Sequence, residues 1–124
     1  MKTLLKTGLW TVLCLVCTLV VLHTVTAQVT LKGTSPKAAE VLSKPAKRVT
    51  LFFVQEVNPQ KSKLEVFDKQ NKRVDSGKLQ SPENNMGLSV DLKKLKPGTY
   101  TVKWEATPSG GNKAITGAYS FQVQ

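Results

Sequence analysis

The stretch GTYTVKWEA, Gly98 to Ala106, decides how this chain folds. In an extended chain successive side chains point to opposite faces, so Tyr100, Val102, Trp104 and Ala106 share one side while Thr101, Lys103 and Glu105 share the other. One side is apolar and aromatic and the other is polar. That is the pattern of an antiparallel strand with one face on a core and one in water. A helix would need apolar residues at three-four spacing, and after residue 27 no segment keeps that spacing for more than a turn.

The same period of two extends along the chain in both directions. AYSFQVQ repeats it with Tyr119, Phe121 and Val123; GLSVDL places Leu88, Val90 and Leu92 together; KLEVFD sets Leu64 and Val66 against charges, followed by the turn-forming KQNKR. QVTLKGTSP begins the series with Val29 and Leu31 on one face. RVTLFFVQEV is almost continuously apolar and reads as a strand covered on both sides. Six or seven short strands at spacings of roughly ten residues predict an all-β, single-domain Greek-key β-sandwich of immunoglobulin-like type, built from two stacked antiparallel sheets. Tyr100, just after Pro97-Gly98, stands where a tyrosine corner would bond its hydroxyl to nearby backbone, and plain core packing is the alternative.

Ahead of the domain lies MKTLLKTGLWTVLCLVCTLVVLHTVTA, with Lys2 and Lys6 at a positive start, an apolar run from Leu9 to Leu22, and small residues at Val25-Thr26-Ala27. This reads as a secretory signal peptide over residues 1–27, cleaved after Ala27, with the domain at 28–124. An uncleaved membrane anchor over Gly8 to Val25 is the alternative. Neither Cys14 nor Cys17 follows the small residue of a lipoprotein cleavage box. Cleavage would remove both cysteines and the single histidine, His23. An exported domain without cysteine is held by its core rather than by disulfides. Without thiol or imidazole it also lacks the side chains most used for nucleophilic and acid-base work near neutral pH, and no enzyme is expected.

Sixteen of the eighteen Lys and Arg residues and all eight acids lie after residue 27, a net charge of +8. Such a surface attracts acidic polymers, and export argues against nucleic acid. The basic residues (KSK, KQNKR, KKLK) are spread over solvent-facing strands and turns, which favours solubility and general attraction over one specific site. The carboxylates Glu56, Glu65, Asp68, Asp75, Glu83, Asp91 and Glu105 are dispersed among basic neighbours and read as solvated surface. Met86, between Asn85 and Gly87, reads as a partly covered loop residue rather than a ligand.

The order of these pieces resembles the CopC family of exported copper-resistance proteins over nearly the whole domain. The resemblance rests on Leu31 and Pro36 in an L-x-x-x-x-P spacing, the central RVTLFF, LKPGTYTVKWEA and the closing TGAYSFQV; PGTYTVKWEA through TGAYSFQV is its most specific part. It implies a small cupredoxin-like or immunoglobulin-like barrel in the periplasm or outside the cell. It also implies a role in copper binding, carriage or tolerance, with a membrane copper transporter or another envelope protein as partner. The family's copper(II) site is built from an N-terminal histidine, which also offers its amine, together with the Asp and His of an Asp-Gly-His turn after the Trp-bearing strand. Such nitrogen and oxygen donors suit copper(II).

By that resemblance, the N-terminal position falls on Gln28, and PSGGNKAITG, Pro108 to Gly117, occupies the place of the turn. Counting forward from Trp104 aligns the two turn ligands with Gly110 and Asn112, and counting back from Gly117 aligns them with Gly111 and Lys113. Neither frame supplies an aspartate or a histidine. The family's copper(I) region is rich in methionine, and Met86 alone stands after residue 27. No metal, cofactor or catalytic residue is therefore assigned, and copper enters only through the resemblance. Two readings follow: a monomeric copper-homeostasis protein whose metal affinity is weak or lost, and a metal-free module that binds an envelope partner or a polyanion.

Overall fold

The computed structural model describes residues 29–124; Gln28 and the apolar leader lie outside the described residues. Among the described residues eight strands form: β1 (Leu31–Ser35), β2 (Val41–Leu42), β3 (Arg48–Phe53), β4 (Lys63–Phe67), β5 (Asp75–Gln80), β6 (Gly87–Leu92), β7 (Gly98–Ala106) and β8 (Ile115–Val123). They build two four-stranded sheets, ordered β1-β3-β6-β5 and β2-β8-β7-β4. Helical structure among the described residues is limited to short 3-10 turns at Pro59–Lys61 and Glu83–Asn85. No helix among them is long and apolar enough to cross a membrane.

The alternating faces meet between the sheets. Val49, Leu51 and Phe53 of β3 and Leu88 and Val90 of β6 pack toward Leu64, Val66, Tyr100, Val102, Phe121 and Val123, all of them buried. Burying these apolar faces is the main favourable term in forming the sandwich. Tyr100 and Phe121 stack at a centroid distance of 5.6 Å, and Phe53 and Trp104 meet edge to face, also at 5.6 Å. The Tyr100 hydroxyl donates to the Lys96 carbonyl at 2.5 Å, the bond a tyrosine corner makes.

The structure differs from the sequence pattern at five places. RVTLFFVQEV is covered on one face, not two: the strand ends at Phe53, and Phe52 and Val54 are exposed. β2 and β5 have no counterpart in the alternation. β2 is two residues long and pairs parallel to β8, an exception to the antiparallel rule elsewhere. β5 (DSGKLQ) has no alternation because its pairing with β6 is irregular between Asp75 and Leu79, where Gly77 takes a positive φ of 75°. Asp75 is no solvated carboxylate but is buried, with Arg73 donating to it at 2.6 Å. Trp104 turns inward as expected, yet it is only half-buried, because its ring reaches the open margin of the sandwich beside Gly117.

Candidate functional site

The connection between β7 and β8, residues 107–114, holds most of the PSGGNKAITG stretch that the resemblance singles out. Its base is tightly held. Asn58 N–H donates to the Thr107 carbonyl at 2.8 Å and Ser109 N–H to the Glu56 carbonyl at 3.0 Å, while Val57 and Pro108 form an antiparallel bridge. Thr107 is buried; its N–H donates to Ser62 Oγ at 3.1 Å and its hydroxyl donates to the Lys61 carbonyl at 2.9 Å. The tip turns back on itself through Gly111 N–H to the Pro108 carbonyl at 3.2 Å.

The segment that holds this loop, residues 53–58, also holds two other places. Val54 N–H donates to the Thr30 carbonyl at 2.9 Å, and Thr30 N–H donates to Gln55 Oε1 at 2.8 Å, so the start of the domain is fixed here. Phe53 N–H donates to the Met86 carbonyl at 2.9 Å and Val57 N–H to the Asn85 carbonyl at 2.8 Å. The domain's start, the Met86 loop and the β7–β8 loop are thus gathered at one end of the sandwich by hydrogen bonds to six consecutive residues. Sequence reasoning points to all three places but misses the segment joining them, whose backbone bonds leave no residue-type signal.

The side chains at this end do not fit a copper(II) site of the kind implied by the resemblance. Gly110 and Gly111 carry none, and the Asn112 side-chain oxygen accepts from Lys61 Nζ at 3.3 Å. Lys61 and Lys113 bring two ammonium groups to the loop, and like charge at short range repels a metal cation. Lys61 lies 51 positions from Asn112, so this pairing has no local signature in the sequence. Met86 is exposed. Among the described residues no three His, Cys, Asp or Glu side chains come together as a metal-binding group. Gln28, the remaining expected position, lies outside the described residues.

The two counting frames are not equivalent in space. A Cβ at Gly110 would meet nothing within 4 Å, whereas one at Gly111 would lie 3.1 Å from Pro108 Cγ. The loop therefore accepts a side chain more readily at Gly110.

Comparison with known proteins agrees with this architecture. The sequence profile of the CopC domain matches residues 31–124. The fold is similar to the crystal structure of CopC from Methylosinus trichosporium, with a TM-score of 0.68 and 28% identity over 78% of this chain and 94% of that one. It is also similar to PcoC, a methionine-rich copper resistance protein from Escherichia coli, with a TM-score of 0.68 and 24% identity over 79% of this chain and 100% of that one. No curated relative matches in sequence. With its profile match running from β1 to the last residue, the chain belongs to the CopC domain family.

Proposed function

We propose that this protein acts in copper resistance as an exported CopC-domain protein whose own copper(II) affinity is weak or lost. The observation that carries this reading is the β7–β8 loop. It is held beside the start of the domain, yet offers glycines, an amide engaged by Lys61 and a second lysine where carboxylate and imidazole donors would be needed. Copper is cargo in this reading, and the chain's contribution is the rigid end of the sandwich presented to a membrane copper transporter or another envelope protein. Cleavage after Ala27 and a periplasmic or extracellular location belong to the same proposal. An enzymatic role has no support from the residues, since the domain has neither thiol nor imidazole.

The test uses Trp104, the single tryptophan after residue 27, as reporter. Copper(II) added to the protein beginning at Gln28 should quench its fluorescence without a stoichiometric end point. A sharp break at one equivalent would overturn the proposal.

A further inference from the structure

Five lysines, Lys69, Lys72, Lys93, Lys94 and Lys96, line a single cleft of about 650 Å³ between the β4–β5 turn and the β6–β7 connection. The sequence scatters them over two segments, and the fold brings these five to one cleft while the other basic residues stay spread over the surface. All five are exposed, and none forms an ion pair among the described residues. Asp68, which also lines the cleft, has Oδ1 engaged by the backbone N–H groups of Gln70 and Lys72, both at 2.9 Å. The one guanidinium in the lining, Arg73, is spent on Asp75 at 2.6 Å and Glu65 at 3.8 Å.

Both walls are fixed in place. The Tyr100 hydroxyl holds the Lys96 carbonyl on one wall. Asp75 anchors the other by accepting from Val66 N–H and Gly77 N–H, both at 2.8 Å. Lys93 N–H donates to the Val74 carbonyl at 2.8 Å and ties the walls together. Gathering unneutralised ammonium groups on a rigid concave surface costs self-repulsion, which a bound anion relieves.

We propose that this cleft binds a linear polyanion carrying successive phosphate groups. Ammonium groups on flexible stems are point charges that suit phosphate oxygens in many orientations, and five of them along one cleft match a chain that carries a negative charge at every unit. A concave channel suits a chain of anions better than a flat lipid surface. The cleft also stands apart from the copper reading: Gly98 lines it, Ala106 leads into the β7–β8 loop, and eight strand steps put the two roughly 26 Å apart.

The purified protein is titrated calorimetrically with linear inorganic polyphosphate at several salt concentrations, and in parallel with orthophosphate, polyglutamate and phosphatidylglycerol vesicles. Two triple variants remove equal charge from exposed positions: Lys72→Ala, Lys93→Ala, Lys96→Ala in the cleft, and Lys32→Ala, Lys44→Ala, Lys78→Ala outside it. Removing one lysine that meets a phosphate lowers the salt slope by about one, so the cleft variant should lose about three units of slope and at least about tenfold in polyphosphate affinity. The outer variant should stay within about twofold of wild type, and orthophosphate should bind far more weakly than the polymer. Equal weakening in both variants would overturn the proposal in favour of summed surface charge. Polyglutamate bound as tightly as polyphosphate would overturn the phosphate assignment, and binding to vesicles but not to polyphosphate would make the occupant a lipid surface.

Discussion

Trp104 on β7 lies directly over Gly117, its register partner on β8, so closely that a Cβ at Gly117 would overlap indole atoms Cζ2 and Cε2 and come within 2.7 Å of Nε1. The glycine is there for space, since its φ is not in the left-handed region. Gly117→Ala should cost about 1–3 kcal/mol, the range for overpacking a filled site. Because the ring is half-buried, Trp104→Ala should cost about 2–3 kcal/mol, below the usual loss for a fully enclosed aromatic. Urea unfolding of the two variants measures both; a neutral Gly117→Ala would mean that the indole does not sit on this strand.

The two tyrosines make opposite predictions. Tyr100→Phe removes the hydroxyl bond to Lys96 and should destabilise by about 1 kcal/mol. Among the described residues the buried Tyr119 hydroxyl makes no hydrogen bond of good geometry; Thr34 faces it and pulls its pKa down, but burial outweighs this and pushes the pKa up to about 12. Tyr119→Phe should therefore change stability by less than about 0.5 kcal/mol, or raise it. Thermal unfolding of both variants side by side is the check, and equal losses would contradict this assignment.

Asp75 contributes to the acid sensitivity of the fold. Burial pushes its carboxyl up, but hydrogen bonds from Arg73, Val66 and Gly77 and the Arg73 charge outweigh it and hold the pKa below the ordinary 3.8. A carboxylate depressed in this way adds stability that is fully present above its unfolded value and is lost as pH falls through its folded one. Unfolding free energy should thus drop as pH is lowered below about 4, and Asp75→Asn should flatten that drop while costing about 2–3 kcal/mol at neutral pH. Stability curves against pH for both proteins test it; an unchanged acid slope in the variant would assign the drop to other groups.

The sequence shows the fold wherever a strand has one buried face. Period two in β4, β6, β7 and β8 places Leu64, Val66, Leu88, Val90, Tyr100, Val102, Phe121 and Val123 in the core, as found. It is silent where pairing does not follow apolar content. β5 carries polar residues around a bulge, and β2 is a two-residue pairing with β8. Phe52 and Val54 mislead in the other direction, since both are apolar yet face solvent. At the candidate site the missing donors are legible residue by residue in PSGGNKAITG. The bond from Lys61 to Asn112 and the gathering of five lysines around one cleft depend on the meeting of distant segments, which a linear reading does not contain.

The central claim is that the CopC-domain fold is kept here while its copper(II) donors are gone, and restoring the donors tests it most directly. Isothermal titration with copper(II) compares the protein beginning at Gln28 with two triple variants: Gln28→His, Gly110→Asp, Asn112→His, and Gln28→His, Gly111→Asp, Lys113→His. The open space at Gly110 and the crowding of Gly111 by Pro108 favour the first frame. That variant should gain at least about a hundredfold in affinity over wild type, because imidazole and carboxylate replace groups that bind copper(II) poorly, and the second should gain much less. Tight one-to-one binding by the unmodified protein, or no gain in either variant, would contradict the account.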